Sequence, residues 1–309
     1  MDYKEQIHLI QKITGLNQDE IAREVGVTFV ALNRWVNDKA IPRKNTIKKI
    51  NQLYVKASGN KDTSQNVDQA KNHFINKEKK GHKDILEKII HNPDIKGEFI
   101  LSLTYNSNTI EGSTLSKNET AAIIFHNKTF PSKSAIEHLE AKNHQSALEY
   151  LFNYLMDKEA INEKLTLKLH SILLNGIHSD AGFYRRHAVR IVGSNVPTAN
   201  YAKIPYLMEE LVKSINKKQK DIIKHAAFIH SRFEQIHPFG DGNGRVGRLI
   251  LIATLLKENI APAVIRQKEK SKYYFCLNKA QTKEDYKPLE DFITDSILEG
   301  YKILERIST

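Results

Sequence analysis

Twelve consecutive residues, 237–248, bring together side chains that can act on a phosphate. His237 carries an imidazole that titrates near neutral pH and can accept the proton of a hydroxyl group. Asp241 offers the kind of carboxylate that holds Mg²⁺ together with phosphate oxygens. Arg245 and Arg248 are three residues apart, so they share a helix face and can grip oxygens in a forked geometry. The stretch is therefore predicted to bind a polyphosphate and to remove a proton beside it.

A helix is predicted to begin inside this stretch, because the apolar run 249–256 follows it directly. The first N–H groups of a helix have no partner within the helix, and their partial positive charge attracts an anion. Gly240, Gly242 and Gly244 let the backbone approach a phosphate closely. The structural alternative is a tight turn followed by two solvated arginines.

The stretch resembles the signature of the Fic family, HPFx(D/E)GN(G/K)R, at every position, and the second arginine follows three residues after the first. The resemblance extends to the helical pattern 226–236, to the Gly-Phe-Tyr-Arg segment at 182–185, and to Tyr273 and Tyr274. It covers about residues 85–309. It implies a mostly α fold, in which a helical core carries a β-hairpin flap.

The resemblance implies transfer of AMP from ATP to a tyrosine, serine or threonine hydroxyl of a protein target, with self-modification included. His237 would be the base, Asp241 would hold Mg²⁺, and the other nucleotide-binding residues would be Gly240, Gly242, Asn243, Gly244, Arg245, Arg248, Tyr273 and Tyr274. Two alternatives stay open. One is a DNA-binding regulator whose Fic domain only senses a nucleotide. The other is a phosphotransferase similar to the related Doc toxins, which have Lys where this chain has Gly244.

A second motif, residues 107–112, indicates from its residues alone the end of a helix with a glycine cap and a solvated Glu111. It also resembles the inhibitory motif of the Fic family, (S/T)xxxE(G/N), through Ser107, Glu111 and Gly112. The resemblance implies that Glu111 pairs with Arg248 and inhibits AMP transfer. In some relatives this glutamate also helps to remove AMP, which would make the chain work in the hydrolytic direction.

Residues 188–201 have the alternation and the central turn chemistry of a β-hairpin. An exposed hairpin edge can receive a target segment as an added strand. The residues expected to dock a target are Ile191, Val192 and Gly193. The alternative is an ordinary surface hairpin.

Residues 1–55 resemble the helix-turn-helix of phage-repressor-like regulators, with two short helical patterns on either side of Gly26. Thr28 is placed as the N-cap of the second helix. The predicted DNA-binding residues are Thr28, Asn33, Arg34, Arg43 and Lys44. The alternative is a small helical module that docks a protein.

Composition agrees with nucleotide and DNA as partners, because the formal charge is +11 and the pI is about 9.4. The single cysteine, Cys276, excludes an internal disulfide framework, and no apolar stretch is long enough to span a bilayer. A cytoplasmic protein without membrane contact is therefore expected, and a homo-oligomer is expected as well. The polar stretch 56–84 is predicted to be a linker between the two domains, 1–55 and 85–309.

Helical periodicity dominates the chain, so the fold class is predicted as mostly α with one hairpin. Helices are predicted at 2–14, 18–25, 28–37, 85–91, 95–106, 117–125, 132–155, 166–175, 206–215, 221–236, 244–257, 270–280 and 289–304.

Overall fold

The computed structural model describes residues 3–57, 63–191 and 195–306. The chain divides into two compact units, Met1–Glu78 and Lys79–Thr309. Helices account for most of the described residues, and none of these residues forms a β-strand. Within this part of the chain, no helix has both the length and the apolar content needed to cross a membrane.

The first unit is helical. Its helices are α1 (Tyr3–Thr14), α2 (Gln18–Val25), α3 (Phe29–Val36), α4 (Lys44–Ala57) and α5 (Thr63–Gly81), the last of which runs past the boundary at Glu78. Helix α1 packs on α4, and α2 packs on α3. Asn17 caps α2 in a reciprocal pair with Glu20, Gly26 ends it with a φ of 75°, and Thr28 caps α3. The predicted helix-turn-helix is thereby confirmed.

Helix α5 occupies most of the stretch that the sequence predicts as a polar linker. Two buried apolar side chains, Phe74 and Ile75, anchor it, and the ammonium group of Lys12 lies 5.0 Å from the centre of the Phe74 ring. Such a short apolar anchor gives little periodicity in a segment that is otherwise polar, which is why the sequence did not predict this helix.

The second unit is built around one helix that is buried almost all round. Its helices are α6 (Ile85–His91), α7 (Pro93–Glu111), α8 (Lys117–His126), α9 (Ala135–Met156), α10 (Glu163–Leu173), α11 (Ile204–Ile215), α12 (Ile222–Ile236), α13 (Asn243–Lys257), α14 (Lys270–Lys283) and α15 (Lys287–Arg306). Helix α13 is the central one, and it packs against α7, α9, α10 and α12. Burial of its apolar run therefore fixes where its first turn lies relative to the ends of α7 and α12.

Candidate active site

His237 lies at the end of α12 in a left-handed conformation, with a φ of 52°. Its backbone N–H donates to the carbonyl of Phe233 at 3.0 Å, and its ring Nδ1 lies 3.2 Å from the carbonyl oxygen of Glu234. A carbonyl oxygen can only accept, so Nδ1 carries the proton and Nε2 keeps its lone pair. The Nε2 atom of His237 is therefore the ring nitrogen that can accept a proton.

Burial lowers the pKa of His237 below its ordinary value of 6.5. The hydrogen bond to the Glu234 carbonyl and the charges of Glu111 and Asp241 raise that pKa, whereas the charge of Arg185 lowers it. Since the net change is downward, His237 is neutral at neutral pH and can accept a proton there.

The turn between α12 and α13 is closed by Asn243, whose side-chain amide both accepts from the Phe239 N–H and donates to the Phe239 carbonyl, each at 2.9 Å. Gly242 has a φ of 77°, and a Cβ there would lie 2.7 Å from a methyl of Leu174. The ring of His170 stacks on Phe239 at 3.7 Å and lies 3.1 Å from the Asp241 carbonyl oxygen through Nε2. The turn is therefore rigid. The Asn243 side-chain amide thus closes the turn, and contact of Asn243 with a phosphate stays a prediction.

Arg245 is 3% exposed and is held by two carboxylates. Its Nη1 lies 2.6 Å from Glu140 of α9, and its Nη2 lies 3.5 Å from Asp241. The Asp241 side chain is 57% exposed. Glu140 was not singled out by the sequence, because nothing local connects it to a residue 105 positions away.

Arg248 is bound by the inhibitory motif, as the resemblance implies. Its Nε donates to the Ser107 hydroxyl at 2.9 Å, and its Nη2 donates to the Ser107 carbonyl at 3.1 Å and to Glu111 Oε1 at 2.6 Å. Burial has the largest single effect and lowers the pKa of Arg248, but the charge and hydrogen bond of Glu111, together with Tyr273 and Glu234, outweigh it, so the net pKa is raised and the guanidinium stays charged. Gly112 ends α7 in the left-handed region, which confirms the predicted glycine cap.

Glu111 lies directly over the first turn of α13. A Cβ built on Gly244 would collide with Glu111 Oε1 and would lie 3.1 Å from Nη1 of Arg248. Glycine at this position is therefore what leaves room for the carboxylate beside the helix N-terminus.

The loop after α7 is fixed by α9, the helix that also carries Glu140. The carboxylate of Glu137 accepts from the Thr114 N–H at 2.7 Å and from the Thr114 hydroxyl at 2.8 Å, and it completes the capping box of Ser134. The Thr114 backbone N–H has the largest effect in lowering the pKa of Glu137 to about 2. Glu137 therefore stays ionised and holds this loop throughout the neutral range.

Glu234 is a buried acid that sequence reasoning missed. It is 8% exposed, its Oε1 has no hydrogen-bond partner among the described residues, and burial raises its pKa to about 8. A Cβ on Gly247 would collide with this carboxyl group. In the sequence, Glu234 is marked only by its position three residues before His237, and that spacing alone does not reveal that its carboxyl group is buried.

The two tyrosines predicted to bind nucleotide differ in burial. Tyr273 is 1% exposed and its hydroxyl lies 2.8 Å from His230 Nε2, whereas Tyr274 is 43% exposed. Tyr273 therefore packs in the core and Tyr274 lies at the surface, and nucleotide contact by either residue stays a prediction.

The predicted flap is described only in part, because Val192 and Gly193 lie outside the described residues. Ile191 is described, and segments 188–191 and 195–200 are without strand structure. The Thr198 hydroxyl donates to the Val189 carbonyl at 2.8 Å, so the two segments lie close together. The hairpin remains a prediction.

In the first unit, two of the predicted DNA-binding residues make contacts within the unit, and the other three are exposed. The Thr28 hydroxyl accepts from the Ala31 N–H as the cap of α3. The Asn33 side chain hydrogen-bonds Gln18 at 3.4 Å and Asn37 at 3.0 Å, so it is partly engaged inside the unit. Three cationic residues are exposed: Arg34, Arg43 and Lys44.

Comparisons with known proteins agree with this geometry. Residues 160–255 match the sequence model of the Fic/DOC family, and residues 14–54 match a helix-turn-helix model. A protein adenylyltransferase Fic of Nematostella vectensis is 34% identical over 209 residues, covering 64% of this chain and 47% of that protein. One of Aedes aegypti is 33% identical over 196 residues, covering 62% and 39%. The chain thus spans less than half the length of either relative.

Solved structures share the fold. A Fic domain containing signaling protein from Bacteroides thetaiotaomicron superposes with a TM-score of 0.67 at 24% identity, covering 75% of this chain and 95% of that one. Fic-1 from C. elegans gives a TM-score of 0.63 at 21% identity, covering 98% and 97%. The chain therefore carries a Fic/DOC domain over residues 160–255, preceded by a helix-turn-helix domain over residues 14–54.

Proposed function

We propose that this chain transfers AMP from ATP to a hydroxyl group of a protein. The observation that carries the proposal is the position of His237, whose Nδ1 faces the Glu234 carbonyl, beside the glycine turn that leads into the N-terminus of α13. The names of the relatives, protein adenylyltransferase Fic, support the same reaction.

The first turns of α13 carry donors suited to phosphate. Nε of Arg245 and Nη1 of Arg248 are buried and have no hydrogen-bond partner among the described residues. The first N–H groups of α13 likewise lack partners within the helix, and they carry its positive dipole end. Two guanidinium groups and a helix N-terminus together neutralise the charge of a triphosphate.

In the proposed reaction, the target hydroxyl gives its proton to His237 Nε2 while its oxygen attacks the α-phosphorus of ATP. A new phosphorus–oxygen bond to the target forms, the bond between the α- and β-phosphates breaks, and pyrophosphate leaves. Positioning and charge neutralisation account for most of the acceleration in such transfers. The protein therefore needs one base and several fixed donors, and the turn supplies both.

Asp241 fits the expected Mg²⁺. Its carboxylate is more than half exposed, and Mg²⁺ is commonly held by one or two carboxylates together with substrate phosphates. When bound, Mg²⁺ neutralises phosphate charge.

The test is transfer of label from α-labelled ATP to protein, with His237→Ala as the variant and His225→Ala, on the same helix, as the matched control. Loss of a general base lowers the rate by roughly 10²- to 10⁴-fold. We expect His237→Ala to bind ATP normally and to lose nearly all labelling. Undiminished labelling would refute the base role. The mass added to self-modified protein separates AMP from the phosphate that a Doc-like phosphotransferase would add.

We further propose that Glu111 inhibits this transfer. Its pairing with Arg248 removes a guanidinium from the outer phosphates, and its carboxylate repels them at the entrance to α13. We also propose that the same carboxylate serves removal of AMP by water, so that the chain with Glu111 in place favours the hydrolytic direction.

The helix-turn-helix is proposed to bind DNA and to link the enzyme to a DNA site. Exposed Arg34, Arg43 and Lys44 would contact phosphates or base edges. Arg34→Ala should weaken retention of DNA on a gel at low salt. If the unmutated chain retains no DNA under these conditions, the domain docks a different partner. A regulator that only senses nucleotide would retain DNA and transfer no AMP even without Glu111.

A further inference from the structure

Arg185 is a buried cation whose hydrogen-bond partners are all backbone carbonyl groups. It is 3% exposed. Its Nε donates to the His237 carbonyl at 2.8 Å, Nη1 to the His187 carbonyl at 2.6 Å, and Nη2 to the Ala199 carbonyl at 2.6 Å. Its own backbone N–H donates to the Pro238 carbonyl at 3.0 Å. One guanidinium thus joins three separate parts of the chain.

These parts are the catalytic turn and both sides of the predicted flap. His187 directly precedes the first side of the flap, Ala199 lies in its second side, and the contact of Thr198 with Val189 brings the two sides together. A planar guanidinium with five N–H donors can serve such diverging acceptors, whereas an ammonium group cannot reproduce the forked geometry. The position of His237 relative to the flap therefore depends on Arg185.

We propose that Arg185 is a positioning residue for AMP transfer, which fixes the backbone of His237 against the two segments that receive the target. The inference rests on the proposed function, because it concerns the approach of the acceptor hydroxyl to the base. A displacement of about 1 Å in such an arrangement lowers a rate by roughly 10²-fold.

The charge of Arg185 has a second effect on His237. It lowers the pKa of His237, whereas the charges of Glu111 and Asp241 raise it. One further titratable ring lies near this turn on the flap side: the His187 ring is 3.8 Å from where a Cβ of Gly240 would be. Removal of the charge of Arg185 therefore raises the pKa of His237, so a larger fraction is protonated at neutral pH and cannot act as a base.

The experiment compares Arg185→Met and Arg185→Lys with Arg186→Met, which removes the same charge from an exposed neighbour. All are made in the Glu111→Gly background. Two readouts are used: self-labelling from MgATP, and titration of the His237 ring by NMR without nucleotide. Native folding is checked from the dispersion of the NMR spectrum.

We expect about a 10²-fold loss of labelling rate in both Arg185 variants, with ATP binding retained. The His237 titration and the acidic limb of the rate profile should move to higher pH in Arg185→Met, and neither should move in Arg186→Met. Arg185→Lys keeps the charge, so it should lose rate with little change in titration.

Full labelling by Arg185→Lys would overturn the geometric role, and a His237 titration in Arg185→Met equal to that in Arg186→Met would overturn the electrostatic one. If the Glu111→Gly chain itself transfers no AMP, the proposed function fails. The NMR titration would still report whether Arg185 acts on His237.

Discussion

Removal of the Glu111 carboxylate should release AMP transfer, by an amount that follows from its contact with Arg248. The Oε1 to Nη2 distance is 2.6 Å, and the Arg248 side chain is 6% exposed against 31% for Glu111. A hydrogen bond to a charged group in such a setting contributes about 1.5–3 kcal/mol. Since about 1.4 kcal/mol corresponds to a factor of ten, the arrangement with Glu111 paired to Arg248 is favoured over the unpaired one by roughly 10- to 100-fold.

The assay is self-labelling from α-labelled ATP with wild type, Glu111→Gly and Glu111→Gln. We expect Glu111→Gly to raise the rate by about 10- to 100-fold, and Glu111→Gln to raise it less because an amide still accepts a hydrogen bond. Glu98→Gln is the matched control, since it lies on the same helix and pairs with Lys117 at the surface. If Glu111→Gly binds ATP and labels no faster than wild type, the inhibitory role assigned to the Arg248 pair is wrong.

Two further predictions use the contacts around α13. Gly244→Ala should affect labelling more favourably in the wild-type background, where its Cβ displaces the Glu111 carboxylate, than in the Glu111→Gly background, where it only crowds the phosphate-binding backbone and Arg248. An equal effect in both backgrounds would contradict this reason. The pKa of Glu234 is raised by burial from 4.5 to about 8, so the stability that its bound proton contributes is present below about pH 4.5 and is lost as the pH rises to about 8. Glu234→Gln should remove this part of the pH dependence of the melting temperature, and parallel curves for both proteins between these pH values would show that Glu234 does not titrate as inferred.

Local sequence patterns predicted the helices well, because their signals lie within a few residues. The Thr28 cap and the Gly112 cap are confirmed where the sequence placed them. Residues 237–248 include the two arginines that are contacted by α9 and by the end of α7. The sequence could predict this stretch because a glycine turn before an apolar helix constrains its own neighbours.

The rest depended on distant contacts. The partner of Arg245, Glu140, is 105 residues away, and the carbonyl acceptors of Arg185 belong to residues whose side chains give no signal for that contact. The burial of Tyr273 and the presence of Tyr274 at the surface likewise follow from how α14 packs, because adjacent residues on a helix point in different directions.

One turn of α9 carries two glutamates that contact two different parts of the candidate site. Glu137 holds the loop that follows α7, and Glu140, three residues later, holds Arg245. Any rotation or sliding of this helix would shift both attachments at once. The proposed inhibition by Glu111 and the proposed binding of nucleotide by Arg245 are therefore mechanically tied, and we expect a substitution that loosens α9 to weaken the two together instead of exchanging one for the other.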